Sequence, residues 1–353
     1  MKTLVLAIAT LIAGAVASAL MLVLAYDVLT GANASVPYDH SKFLLKSVAS
    51  PRIIIDGGSS SMFGIVPAMM EKELRVPVVD AADNGSIPLR MKIYRVFQYA
   101  RPGDTIILPL EWVYYTRSEI PSDFIDKTPD EYASYYISMP FLERLQFIVT
   151  SLSLHNVSDA FRLHFKPGLS HEHLRTIEDL LERFPHGDRK DDSRRRSSVG
   201  NIGCSDYLGS DGTIVAEMRW AARALRELEA LRGVRILIAW PAVAGDDCYR
   251  SDTLEQDARD LFSQHGLTVL GTASDAYFSA SHMLDTYYHV DSVAAELRTK
   301  RLITQLLATP GFTFQVTEGY RPTVDQGRAA LAILSHSQMQ PYARIGPLSL
   351  LSQ

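Results

Sequence analysis

After Met1 and Lys2, the stretch from Thr3 to Tyr26 carries no charge, and the first acid is Asp27. An uninterrupted apolar run of about 20 residues matches the hydrocarbon thickness of a bilayer, whereas the apolar core of a cleaved signal is about 7–15 residues. The pattern predicts a transmembrane signal anchor over 1–26. Small residues at Ala15 and Ala17 fit cleavage by signal peptidase as the competing reading, but the apolar run continues past them. Lys2 is the only cation on the N-terminal flank, and basic flanks tend to stay cytoplasmic. The expected arrangement is therefore single-pass and membrane-anchored, with the globular part extracytoplasmic, in the periplasm.

Residues 27–50, with Gly31, Asn33, Pro37 and Ser41, read as a linker. Beyond it, short apolar runs alternate with helical patterns. The runs are PRIIID, VPVVDAA, GDTIILPLEW, GVRILIAWPAV and GLTVLG, as expected for strands buried on both faces of a parallel sheet. Between them, MFGIVPAMMEKEL, PLRMKIYRVFQYA and VAEMRWAARALRELEALRG space apolar residues three and four apart, as amphipathic crossover helices require. This alternation predicts an α/β fold with a doubly wound sheet over 51–310. A mixed helical and charged stretch over 113–205 reads as an insertion between the third and fourth core strands, and 311–353 as a C-terminal extension.

The formal net charge of -5 and the lack of a basic face argue against a nucleic-acid partner. Arg194, Arg195 and Arg196 form the one short basic run, read as a solvated loop or a contact for anionic polymer or lipid. Cys204 and Cys248 are too few for a disulfide framework and lack zinc-site spacing. Export would permit them to bridge, with two unrelated thiols as the alternative. His171-Glu172-His173 has no further ligand cluster nearby, and no metal or organic cofactor is expected.

The candidate chemistry sits at strand ends. IIIDGGSSSMFGI places Ser59, Ser60 and Ser61 after a buried strand and before a helix. At that turn a hydroxyl reaches the carboxyl end of the sheet, where α/β sites form. A nucleophile, a phosphate cradle and a simple helix cap all fit this pattern. The second strand ends in VVDAADNGS, where Asp80, Asn84 and Gly85 follow it, offering Gly85 as an amide donor to the same centre, or an ordinary turn. Far along the chain, Asp285 and His289 precede a helix beginning near Asp291. Serine needs a base, and an imidazole oriented by a carboxylate is the usual one. Asp246 and Asp247 read as a turn or as pocket lining. Trp112, Tyr114, Tyr115 and Trp240 follow strand ends, as packing residues or as platforms for sugar rings.

In order, the segments GGSSSMFGI, VVDAADNGS, GDTIILPLEW and DTYYHVDSVAAELRT resemble the blocks of the SGNH (GDSL-like) hydrolase superfamily. The likeness is greatest to its exported, membrane-anchored members associated with acylation of polysaccharide or the cell envelope. The resemblance implies a three-layer α/β/α, flavodoxin-like domain. It also implies Ser59 as nucleophile, with Ser60 as the nearest rival, Gly85 as an oxyanion-hole amide, and Asp285 with His289 as the acid–base pair. It further implies an acyl, in particular acetyl, esterase or O-acyltransferase acting on an exopolysaccharide or cell-envelope glycan. The partners would be a glycan or acyl-ester substrate, the membrane, and a membrane-bound acyl donor or polysaccharide synthesis complex.

The chain departs from the family pattern at three points. Gly57-Gly58-Ser59 replaces Gly-Asp-Ser, three residues rather than two separate Asp285 from His289, and the third block offers Glu111 and Trp112 in place of asparagine. An ionised glutamate cannot donate a hydrogen bond, so the oxyanion hole would rest on the amides of Ser59 and Gly85 or on Asn84. A non-catalytic scaffold or glycan-binding component of an export complex is the rival expectation.

Overall fold

A computed structural model describes residues 2–31, 40–117, 133–151, 178–186, 213–245, 252–312 and 320–336. The basic run at 194–196, both cysteines, His171-Glu172-His173 and Asp246-Asp247 lie outside these residues. The chain divides into two compact units, one of Met1–Tyr38, Ser122–Leu174 and Ser337–Gln353, the other of Asp39–Pro121 and Arg175–His336.

In the first unit, helix α1 (Lys2–Gly31) contains a segment, Ala7–Val28, long and apolar enough to cross a membrane. Leu11, Met21 and Leu24 lie exposed along it. Its far end is packed: Val23 and Tyr26 are buried, and the Tyr26 ring meets Tyr136 edge-on at 5.0 Å between centroids. Asp27 accepts a hydrogen bond from the Tyr136 hydroxyl at 3.0 Å and pairs with Arg144.

The second unit is an α/β fold built on a five-stranded, wholly parallel sheet. In chain order the elements are α2 (His40–Ser47), β1 (Ile53–Ile55), α3 (Ser59–Gly64), α4 (Pro67–Leu74), β2 (Val78–Asp80), α5 (Leu89–Tyr99), β3 (Thr105–Pro109) and α6 (Val113–Thr116). The next two helices, α7 (Ala133–Ser138) and α8 (Phe141–Ser151), belong to the first unit. The second unit continues with α9 (Ala216–Arg232), β4 (Arg235–Ala239), β5 (Val243–Ala244), α10 (Asp252–Gln264), β6 (Thr268–Val269), β7 (Tyr277–Phe278), α11 (Ser292–Ala308) and α12 (Thr323–His336). The sheet runs β2-β1-β3-β4-β6, and β5 pairs with β7 separately.

The central strands are buried along their whole length, which is why they read as continuous apolar runs and not as alternating ones. Ile53, Ile55, Ile107 and Leu237 point to one face, where they pack with Met70 and Leu74 of α4 and Leu302, Ile303 and Leu306 of α11. Successive side chains of a strand alternate between faces, so Ile54, Ile106 and Ile236 line the other. Because β1 has β2 on one side and β3 on the other, the chain reverses its direction of travel across the sheet there. At such a reversal the loops leaving the two strands run to opposite sides of the sheet, and α/β sites form at those carboxyl ends.

The stretch read as a linker differs at its end. Residues 40–47 form α2, with Phe43, Leu44, Leu45 and Val48 buried. At the opposite end of the chain, the Thr323 hydroxyl at the start of α12 donates to Val78 O at 3.2 Å and its N–H donates to Glu71 at 3.0 Å. The Tyr320 hydroxyl and His186 also reach Glu71, at 2.9 and 3.3 Å. Burial opposes ionisation of Glu71, but hydrogen bonds from His186 and Thr323 outweigh it and hold its pKa at about 2.

Candidate active site

The three serines lie at the carboxyl end of β1. Gly57 and Gly58 carry the chain from β1 into α3, so that the serines occupy its first turn. Their environments differ. Ser60 and Ser61 are fully buried, donating to Ala242 O at 3.2 Å and Pro109 O at 3.3 Å respectively. Ser59 is half-buried, and its hydroxyl donates to Glu111 Oε1 at 3.2 Å. A hydroxyl that must meet a substrate needs that partial exposure.

Glu111 comes from the end of β3. Its Oε1 also accepts the backbone N–H of Ser60 at 2.7 Å. The side chain is held against Gly58 and Gly85, and a Cβ at either glycine would collide with the carboxylate. Glu111 is 2 % exposed. Burial pushes its pKa up, and the Ser60 N–H, the Lys92 ammonium and the Ser59 hydroxyl pull the other way without overcoming it.

Asp285 and His289 are brought together by a tight loop before α11. Met283 and Val290 form an antiparallel bridge, with Leu284 N–H donating to His289 O and Asp291 N–H to His282 O, each at 2.8 Å. Inside the loop, Thr286 Oγ1 accepts the N–H groups of Tyr288 and His289, both at 3.2 Å. Asp285 Oδ1 thereby lies 2.6 Å from His289 Nδ1. The imidazole packs on Phe63 at 4.3 Å between ring centroids. Phe63 follows Ser59 by four residues on α3, and residues four apart share a helix face. Asp291 caps α11, accepting the N–H of Ala294 at 2.9 Å.

At the Asn84–Gly85 turn, Gly85 lies against the Glu111 carboxylate. Asn84 is exposed, and its side-chain oxygen accepts the N–H of Ser86 at 3.0 Å.

Behind the serines lies a buried ionic network absent from the sequence reading. Arg95 donates to both oxygens of Asp56, at 2.7 and 2.8 Å, and to Asp83 at 2.7 Å. Lys92 pairs with Asp83 and donates to Gly57 O at 2.7 Å. Both cations sit on the buried side of α5 beside Ile93 and Val96. Charges at apolar positions of an amphipathic helix were the available signal. Arg298 of α11 is also buried and donates to Ser60 O and Trp240 O, both at 2.8 Å. Burial lowers its pKa to about 10.

The strand-end aromatics are packing residues. Trp112 and Trp240 stack at 5.3 Å, Trp112 meets Tyr115 at the same distance, and Tyr114 is buried beneath the Lys92 ammonium. Among the described residues, no group of three or more His, Cys, Asp or Glu converges as a metal site. No protein-family model matches this chain, and no curated protein matches it significantly.

Proposed function

We propose that the second unit is an SGNH-type, three-layer flavodoxin-like domain acting as a serine-dependent acyl esterase or O-acyltransferase. Its substrate would be an acylated, in particular acetylated, exopolysaccharide or cell-envelope glycan on the periplasmic side of the membrane that α1 enters. One observation carries the reading. The half-buried Ser59 stands at the carboxyl end of β1, with the His289–Asp285 pair packed through Phe63 on the helix that bears it. The order β2-β1-β3-β4-β6 matches that of flavodoxin-like sheets and supports the fold assignment.

In this mechanism Ser59 Oγ attacks the acyl carbonyl carbon as its proton passes to His289 Nε2. Asp285 fixes the ring through Nδ1 and stabilises the imidazolium. Amides beside Ser59 and Gly85 hold the oxyanion. Collapse expels the leaving alkoxide, which takes the proton from His289. Water or a sugar hydroxyl then resolves the acyl-enzyme by the reverse sequence.

A second reading, a non-catalytic glycan-binding scaffold of an export complex, is favoured by the Glu111 carboxylate lying on the Ser60 amide. Mass spectrometry of the detergent-solubilised full chain after incubation with p-nitrophenyl acetate separates the two. An acetyl adduct on the Ser59 peptide, lost in Ser59→Ala and His289→Ala, is expected. No adduct above the level of those variants leaves the scaffold as the reading.

A further inference from the structure

Glu111 stands on groups that a catalytic centre of this kind uses. Its Oε1 takes the Ser60 N–H at 2.7 Å and the Ser59 hydroxyl at 3.2 Å. The first is a donor that an oxyanion would use, and the second carries the proton that a base must remove. The other carboxyl oxygen lies against Gly58 and Gly85, and both positions have room for it only because they lack a Cβ. A carboxylate here therefore imitates the oxyanion of the reaction, with the same donors, and its charge opposes formation of a second anion beside it. A neutral carboxyl group differs in kind, because it keeps an acceptor for the Ser60 N–H and gains an O–H donor.

We propose that Glu111 controls the site by its protonation state: as the carboxylate it holds the Ser59 hydroxyl and opposes a second anion beside it, and as the neutral acid it keeps the Ser60 N–H and donates its own O–H to the oxyanion. The proposal rests on the acyl-transfer reading above and adds to it the residue that completes the oxyanion hole. The step balances as before: the Ser59 proton goes to His289, the carbonyl electron pair goes to oxygen, and Glu111 keeps its proton while sharing it with that oxygen.

The groups facing Glu111 set the pH at which the change occurs. Lys92 of α5 and Arg117 after α6 favour the ionised form, whereas full burial disfavours it more strongly. Arg298 of α11, Tyr114 of α6, and Asp83 and Asp56 through Tyr114 complete the charged surroundings, with His289 on the Phe63 side. An acid whose pKa is raised is neutral below that raised value and ionised above it, so the contribution of Glu111 to acylation is lost as pH rises through it, while the need for a neutral His289 limits the rate on the acid side.

The test is the rate of Ser59 acetylation by p-nitrophenyl acetate, followed by mass across pH 5 to 9 in the full chain, for wild type, Glu111→Gln and Glu111→Ala. Glutamine keeps the acceptor for Ser60, adds an N–H donor and never ionises. Circular dichroism melting checks that each variant is folded. Expected is wild-type labelling that falls toward pH 9, labelling of Glu111→Gln that does not and that exceeds wild type at pH 8–9 at least tenfold, and Glu111→Ala at least tenfold below Glu111→Gln. Loss of one oxyanion donor typically costs about 10²–10³ in rate. Wild-type and Glu111→Gln profiles of the same shape overturn the control by Glu111 and leave the acyl-transfer reading standing. So does a folded Glu111→Gln as inert as Ser59→Ala, which would make Glu111 a base. No Ser59 adduct in wild type or in Glu111→Gln at any pH overturns both.

Discussion

The Ser60 backbone N–H donates to Glu111 Oε1 at 2.7 Å across 51 residues of sequence. That bond ties the loop after β3 to the turn after β1. It also makes the two glycines that flank the carboxylate, Gly58 and Gly85, sterically dependent on it.

Gly85→Ala is therefore expected to destabilise the fold by about 1–3 kcal/mol, the usual cost of overpacking. In the double variant with Glu111→Ala most of that cost should vanish, since the atom that the new Cβ meets is gone. Chemical denaturation of the four species of the cycle measures the coupling. Additive losses would mean that some other contact limits Gly85.

Asp285→Asn leaves the shape of the loop unchanged and removes the charge at 2.6 Å from His289 Nδ1. Under the proposed mechanism, Ser59 acetylation slows by about 10²–10⁴-fold while the melting temperature stays near that of wild type. An unchanged rate would assign the pair to loop closure alone.

The Arg95 guanidinium bonds Asp56 and Asp83 at once, and both it and Asp56 are buried. Arg95→Met strands the Asp56 carboxylate and should cost about 3–5 kcal/mol. Adding Asp56→Asn to it should recover part of the loss. Urea unfolding of both variants reads the difference, and a loss below about 1 kcal/mol would show that Lys92 alone suffices.

Glu71 gives an acid-side signature. Its folded pKa of about 2 lies below the ordinary 4.5. A depressed acid stabilises the fold above its unfolded pKa and loses that contribution as pH falls through the folded value. Wild type should therefore lose stability between pH 4.5 and about 2, and Glu71→Gln should be weaker at pH 6 yet lose less over that window. Melting temperatures from pH 7 down to 2 test this, and parallel curves would refute it.

By itself the sequence determined what depends on neighbouring residues. The apolar run before Asp27 is long enough for a membrane span, because the bilayer asks only for length and absence of charge. The five core strands were readable from short continuous apolar runs, and the crossover helices α4, α5 and α9 from apolar spacing of three and four. So was the placement of Ser59 at a strand end and of Asp285 and His289 ahead of the last core helix. Tertiary structure alone decided the rest. Local pattern did not show that 40–47 forms a packed helix in place of linker, since a single turn-and-a-half of apolar residues has no period long enough to declare itself. The partners of Lys92 at Gly57, of Glu111 at Ser59 and of Thr323 at Glu71 lie 35, 52 and 252 residues away. A charged side chain in sequence carries no record of its burial, and only the meeting of β1 and β3 at the centre of the sheet sets Glu111 against Ser59.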